Sequence, residues 1–298
     1  MHFIRYSGDF RLTMQQNVFS IDVEDWFHIL DAEKVPQYSD WDFQSSVVEK
    51  NFGRLLDLLD RKNVRATCFF LGWIARKYPH LVKDAAQRGH EVASHGFKHT
   101  LIFEQSPDEF GNDISDAKKL LEDLSGKRVV GYRAPGFSIM QDNAWALDVI
   151  HSAGYDYDSS LFPARREHGG FAAAETTPHI IATGGGDLYE FPITIDSTAG
   201  KDMCYFGGGY LRLFPYGLIR NRANKIIRQN RPVFFYVHPR DIDPGQPRID
   251  LGFYRNFKCY VNLKTAYRKI ERILSDFSFI TFAEMVHQYE WKRNSKIS

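Results

Sequence analysis

Residues 17–26 read NVFSIDVEDW: an apolar, β-rich run that turns acidic where it ends. The same grammar returns along the chain. RATCFFLG (65–72), EVASHG (91–96), VVGYRAPG (129–136) and RPVFFYVHPRDID (231–243) are each a short apolar run closing on polar residues. Helical spacing fills the gaps between them. Val48, Phe52, Leu55, Leu56 and Leu59 recur at three and four residues within 45–63, with Ser45 and Glu49 placed to start that helix. Stretches 78–90, 106–126, 143–154 and 262–274 read as further helices, the first ending at Gly89 and the second at Gly126. Strands alternating with helices predict parallel βαβ units. In such folds the functional residues gather at the carboxyl ends of the strands, which is where the polar residues fall here.

Composition narrows the class. A chain of 298 residues with 43% hydrophobic and 25% charged residues is globular, which excludes wholesale disorder, collagen-like and coiled-coil architectures. With 38 basic against 37 acidic residues there is no basic footprint for nucleic acid. No apolar stretch is long enough to span a membrane. Residues 1–13 lack an apolar signal core and are read as a tail outside the fold, 14–290 as one domain, and 291–298 as a frayed end. The three scattered cysteines make no disulfide framework, which suits a reducing, cytoplasmic compartment. The sequence sets no oligomeric state.

Four constellations carry chemistry. Asp22, Glu24 and Asp25 crowd three carboxylates into four residues, which repel unless a positive partner such as a divalent metal sits between them. His95 and His99, read as an i,i+4 pair in one helical turn, point both imidazoles the same way, a bite suited to a zinc-type ion. Arg133 ends another strand and is placed to pin a carboxylate. His238 closes the most apolar strand, where a group titrating near neutrality suits a general acid. Taken singly, each has an ordinary structural explanation.

Together and in this order, SIDVED, SHGFKH, RAPG and YVH resemble the motifs of the NodB-homology polysaccharide deacetylases, carbohydrate esterase family 4. The resemblance covers roughly residues 17 to 290. GYDYDSSLFP and GGGYLRLFPY resemble the branch linked to exopolysaccharide and exosortase loci. The resemblance implies a distorted (β/α) barrel of about seven parallel strands with a C-terminal helical and loop extension. It implies an enzyme that hydrolyses the acetamide of an amino sugar, with Asp22 as base, Arg133 orienting it, His238 as acid, and His95, His99 and one carboxylate on a divalent metal: zinc, or cobalt, nickel or manganese.

Three points depart from the family pattern. The adjacent Asp-Asp pair becomes Asp22-Val-Glu-Asp25. Strand alternation puts Glu24 on the face of Asp22, whereas a turn after Val23 would bring in Asp25 instead. Gly96 stands where Ser or Thr is usual. The Asp-Trp motif is missing, and Asp158 is the substitute expected to orient His238. Trp26, Tyr205, Tyr210 and Phe214 are read either as a sugar platform or as core. The expected partner is an amino-sugar glycan or a lipid- or nucleotide-linked precursor. An allantoinase-like amide hydrolase and a non-catalytic glycan-binding protein are the alternatives.

Overall fold

A computed structural model describes residues 16–30, 34–164, 169–198, 201–289 and 291. Eleven strands fall among them: β1 (Asn17–Val23), β2 (Thr67–Phe70), β3 (Glu91–Ser94), β4 (Gly131–Tyr132), β5 (Tyr157–Asp158), β6 (His179–Thr183), β7 (Gly186–Glu190), β8 (Asp196–Thr198), β9 (Lys201–Met203), β10 (Phe234–Val237) and β11 (Phe279–Ile280). The α-helices are α1 (Val48–Lys62), α2 (Gly72–Lys77), α3 (Pro79–Gln87), α4 (Pro107–Ser125), α5 (Trp145–Ser152), α6 (Gly208–Leu213), α7 (Tyr216–Ile227), α8 (Phe253–Tyr260), α9 (Leu263–Asp276) and α10 (Phe282–Gln288).

The main sheet runs β10-β1-β2-β3-β4-β5-β7-β6, with β11 also paired to β1. The first seven of these strands are parallel, as the pattern predicts. The hairpin β6–β7 adds an antiparallel edge that the sequence reading did not include. Because β10 and β6 stand at opposite ends of the pairing order, the sheet is a curled, mostly parallel half-barrel rather than a closed barrel.

Strand alternation sorts the side chains. On β1, Phe19, Ile21 and Val23 join the large core under the helices, while Val18 joins a second core on the opposite, concave face. Ser20 and Asp22 therefore share the concave face with Val18. On β10, Phe235 and Val237 face the helices, and Phe234 and Tyr236 face inward. Phe282, at the start of α10, fills the concave side, its ring 5.1 Å from Phe234 and 4.7 Å from Phe191. With one end of the concavity packed by aromatics, polar groups are left for the other.

Several boundaries agree with the sequence. Gly126 caps α4 at φ 66°, and Ser106 with Glu109 forms a reciprocal capping box at its start. Helix α1 differs. Its N-cap, Val47, makes no side-chain cap bond, and neither Ser45 nor Glu49 starts it. The capping acceptor comes from Asp25, across the chain.

Residues 1–13 and 292–298 lie outside the described residues. Trp291, at the start of the expected frayed end, packs on Tyr189 and Phe191 at 4.5 and 5.1 Å and donates its indole N–H to the Val286 carbonyl. No helix among the described residues is long and apolar enough to cross a membrane.

Candidate active site and metal centre

The chemistry-bearing residues converge where β1, β3, β4 and β10 end. Asp22 lies in β1 and Glu24 just beyond it; His95, Arg133 and His238 each follow the last residue of β3, β4 and β10. Asp22 accepts a hydrogen bond from Arg133 Nη1 at 2.7 Å. The same nitrogen donates to Ser20 Oγ at 2.9 Å, and Nε and Nη2 donate to the Ser159 carbonyl and hydroxyl oxygens at 3.2 and 3.1 Å. Arg133 is fully buried, its guanidinium 4.1 Å from the Phe69 ring centre. A cation held on so many sides is a fixed counter-charge that keeps Asp22 in one orientation.

Glu24, His95 and His99 form the group able to hold a metal ion, their donor atoms lying within 4.8 Å of one another. The donor chemistry fits. His95 Nδ1 faces the Arg133 carbonyl oxygen at 2.8 Å, so Nδ1–H donates there and the Nε2 lone pair stays free. Burial pulls His95 down to about 4, which keeps the ring neutral at neutral pH. Burial alone would raise Glu24, but His99, His238 and His95 outweigh it and hold the carboxylate ionised, well below its usual range. Glu24 Oε2 sits 2.7 Å from His99 Nε2. One carboxylate and two histidines are the kind of donor set that can hold a divalent metal while leaving a coordination position open.

The two histidines do not share a helical turn. Residues 95–99 form a bend after β3, with Gly96 at φ 72° and His99 at φ 58°. Asp113 of α4 pins it by accepting from the Phe97 and Lys98 amides at 2.6 and 3.1 Å. The departure at Gly96 is thus a backbone requirement: a Cβ there would meet left-handed strain and an Asp113 oxygen at 3.0 Å.

Asp25 stands apart from this group. It caps the short turn after β1, accepting from the Trp26 amide at 2.8 Å, and receives Ser46 Oγ at 2.5 Å and the Val47 and Val48 amides at 3.0 and 3.2 Å. The Glu24 amide bonds back to the Asp22 carbonyl at 3.0 Å, so β1 does tighten at Val23. Even so, that turn leaves Glu24, not Asp25, beside Asp22.

His238 Nε2 points at both carboxylates, 3.6 Å from Glu24 and 3.9 Å from Asp22. Its Nδ1 is 3.0 Å from Asp241 Oδ2, which also accepts the His238 amide. Asp241 is in turn paired with buried Arg212, whose Nη2 donates to the Lys258 and Cys259 carbonyls. Asp158 is not the residue orienting His238, and its expected role is corrected. Its carboxylate accepts from Ser160 Oγ and the Ser160 amide and stands opposite Glu190 in the β5–β7 pairing, so it is spent within its own loop and beside β7. Asp241 was missed, although the Pro-initiated turn HPRD places it three residues beyond His238, a capping spacing readable from sequence. Nothing in the local sequence marks Arg212.

The four aromatics divide. Trp26 is 7% exposed and Tyr205 7%, both in the main core, and the Trp26 indole donates to the Ser45 carbonyl. Tyr210 is 36% exposed and stacks parallel on half-buried Phe214 at 6.4 Å, leaving Tyr210 as the one accessible flat face of the four.

Residues 39–157 match the family model described as polysaccharide deacetylase, and residues 159–287 match a domain of unknown function, DUF3473. A peptidoglycan-N-acetylglucosamine deacetylase of Bacillus cereus is 33% identical over 96 residues, 32% of this chain and 35% of that one. A chitooligosaccharide deacetylase of Azorhizobium caulinodans is 28% identical over 96 residues, 32% of this chain and 43% of that one. The chain thus spans well under half the length of these curated relatives. Among solved structures, a candidate polysaccharide deacetylase from Mycobacterium smegmatis superposes with TM-score 0.64 at 18% identity, covering 95% of this chain and 93% of that one. The Puue allantoinase does so with TM-score 0.58 at 14% identity, covering 94% and 87%. These likenesses establish the fold. The family model and the homologues support the polysaccharide deacetylase family; they do not reach the exopolysaccharide-locus branch.

Proposed function

We propose that this protein is a metal-dependent hydrolase that removes the N-acetyl group from an amino sugar in a glycan. One observation carries the reading: a carboxylate fixed by a buried arginine, a Glu-His-His metal group and a histidine backed by an aspartate all face one another at one end of the half-barrel. The named activities of the relatives on peptidoglycan N-acetylglucosamine and chitooligosaccharides support an amino-sugar substrate.

A divalent ion, zinc by donor set, would be held by Glu24, His95 and His99 and would supply Lewis acidity and an acidified water. Asp22 takes a proton from the attacking water, and Arg133 holds its carboxylate in line for that transfer. His238 gives a proton to the departing nitrogen, which otherwise leaves poorly as an amide anion. Asp241 accepts from His238 Nδ1–H and so leaves Nε2 facing the reacting groups. Stacked Tyr210 and Phe214 offer the sugar a flat edge. We further assign the chain to the exopolysaccharide-locus branch and its substrate to a lipid- or nucleotide-linked precursor in the cytoplasm. The three free cysteines fit a reducing compartment.

The test is acetate release from N-acetylglucosamine oligosaccharides, with and without chelator. Activity should vanish on chelation and return with zinc or cobalt, and Asp22→Asn should keep the metal and lose roughly 10²–10⁴-fold in kcat. Release unaffected by chelator, hydrolysis confined to allantoin-like amides, or glycan binding without turnover would each overturn the proposal.

A further inference from the structure

Large apolar side chains scattered singly over a surface are ordinary, but here they gather. Seven are exposed among the described residues, and all seven lie on segments at the site end of the half-barrel. Tyr38 and Phe43 belong to the turn 38–43 between β1 and α1, where Trp41 packs its ring 4.2 Å from that of His28, itself 5.9 Å from the ring of His99. Phe103 lies between β3 and α4, on a turn whose Ile102 amide donates to Ser138 Oγ beyond β4. Tyr210 is on α6, where a Cβ at Gly208 would stand 3.6 Å from His238 Cε1. Phe253, Tyr254 and Phe257 are on α8, between β10 and α9. Helices α1, α3, α4, α5, α7 and α9, which bury the larger core, expose no such side chain.

Helix α8 is the centre of this rim. None of its residues is buried, and Phe253 and Phe257, four apart and so on one face, are 93% and 49% exposed. Polar groups hold the helix in place instead. Arg255 donates to the Leu30 carbonyl, and Arg212 donates to the Lys258 and Cys259 carbonyls. A helix anchored through its polar groups and presenting phenylalanine outward has the arrangement of one that lies in a membrane interface. Charge agrees. Residues 247–262 carry Arg248, Arg255 and Lys258 against one acidic residue, Asp250, which is paired with Lys34 at 2.9 Å. Arg248 and Lys258 are exposed cations set over the rings of Tyr260 and Tyr254, 5.1 and 4.2 Å from the ring centres. Apolar bodies with positive heads beside them suit an anionic headgroup layer. A glycan is recognised in a cleft by converging polar groups, whereas Phe253 stands proud of the surface.

We propose that the site end of the half-barrel docks on the surface of a lipid membrane bearing anionic headgroups. Phe253 and Phe257 of α8 enter the headgroup layer, and Arg248 and Lys258 lie beside its phosphates. Docked in this way, the mouth formed by the ends of β1, β3, β4 and β10 faces the membrane, and a glycan anchored there reaches the site without leaving the surface. The docking face does not depend on the reaction assigned to the site.

The experiment is co-sedimentation of the full chain with large unilamellar vesicles, either of phosphatidylcholine alone or of equal parts phosphatidylcholine and phosphatidylglycerol. The chain should partition onto the anionic vesicles. Phe253→Ser with Phe257→Ser should lower that partitioning by about 10- to 100-fold, the factor expected when phenyl rings lose an apolar surround. Serine has nearly the helix propensity of phenylalanine, so α8 persists and Tm should be unchanged. Arg248→Gln with Lys258→Gln should lower partitioning onto the anionic vesicles by about fivefold per charge removed. Acetate release from soluble N-acetylglucosamine oligosaccharides should be unchanged in both double variants. Absence of partitioning, or partitioning that both double variants retain, overturns the docking face. A dimer in light scattering that Phe253→Ser with Phe257→Ser returns to a single chain, without vesicle binding, gives the surface to a second copy and overturns it. A raised KM for soluble oligosaccharides in that variant, again without vesicle binding, makes the aromatics a sugar platform and overturns it too. Vesicle binding by a chain that releases no acetate would keep the docking face and reject the deacetylase reading alone.

Discussion

Truncating Asp25 to alanine separates a ligand from a cap. The Asp25 carboxylate accepts from Trp26, Val47 and Val48 amides and from Ser46 Oγ, so the substitution strands three backbone donors, one hydroxyl and the start of a 15-residue helix. Loss of an N-cap costs about 0.5–2 kcal/mol, and each buried donor left unpaired adds roughly 1–3 kcal/mol where water cannot reach it. Val47 is only half-buried, so its amide recovers water and the combined loss should be about 3 kcal/mol. For a chain of this size that lowers Tm by roughly 5 °C. Metal should remain, because Glu24, His95 and His99 are untouched. Glu24→Gln should do the opposite, melting close to the parent while losing most of its metal affinity. The assay is thermal melting by circular dichroism, paired with zinc titration well below both midpoints. If Asp25→Ala empties the site and leaves Tm unchanged, the strand register drawn here is wrong and Asp25 is the ligand.

Asp241→Asn should lower kcat by up to about 10²-fold with KM and metal content nearly unchanged, because it loosens His238 without removing it; steady-state kinetics with metal analysis checks this. Burial pushes Asp158 and Glu190 up together, and their contact keeps a proton between them in the folded state. The folded protein then holds more protons than the unfolded chain above the ordinary carboxylate range, so stability falls as pH rises from about 4.5. Glu190→Gln supplies a fixed donor to Asp158. Denaturant melts should therefore agree with the parent near pH 4 and show a more stable variant at pH 8; equal curves at both values would place no shared proton there.

The convergence of the candidate site residues was legible because strand ends concentrate them, and periodicity finds strand ends. Asp22, Arg133 and His238 each sit one step past an apolar run, and that position is a property of local sequence. What pattern could not supply was the partnering across the sheet. Nothing adjacent to Asp158 says that its nearest ionisable neighbour is Glu190 on β7, or that Arg212, near α8, backs Asp241. The i,i+4 spacing of His95 and His99 does bring the two rings together, but through two left-handed residues that bend the loop where a helix was expected. The choice between Glu24 and Asp25 turned on a three-residue turn at Val23, which alternation alone leaves undecided. The closing hairpin β6–β7 was passed over inside a stretch read as irregular, although Gly184-Gly185 between HIIAT and GDLYE is a two-residue hairpin signal.

The placement of β1 constrains how the molecule can be made. It is translated before the strands it pairs with, yet its hydrogen-bonding edges are taken by β2, by β10 more than 200 residues later, and by β11 later still. A nascent chain can assemble β2 to β5 with their helices while still on the ribosome, but its first strand then waits half-paired. Two-sided pairing, and with it the meeting of Asp22 with His238, comes only after β10 and His238 have emerged. Loop closure over such separations is slow, so the waiting strand NVFSIDV, apolar and open on one edge, is the segment most in need of a chaperone. The proposed acid–base pair would then report the completion of folding, because no fragment that stops short of β10 contains both halves.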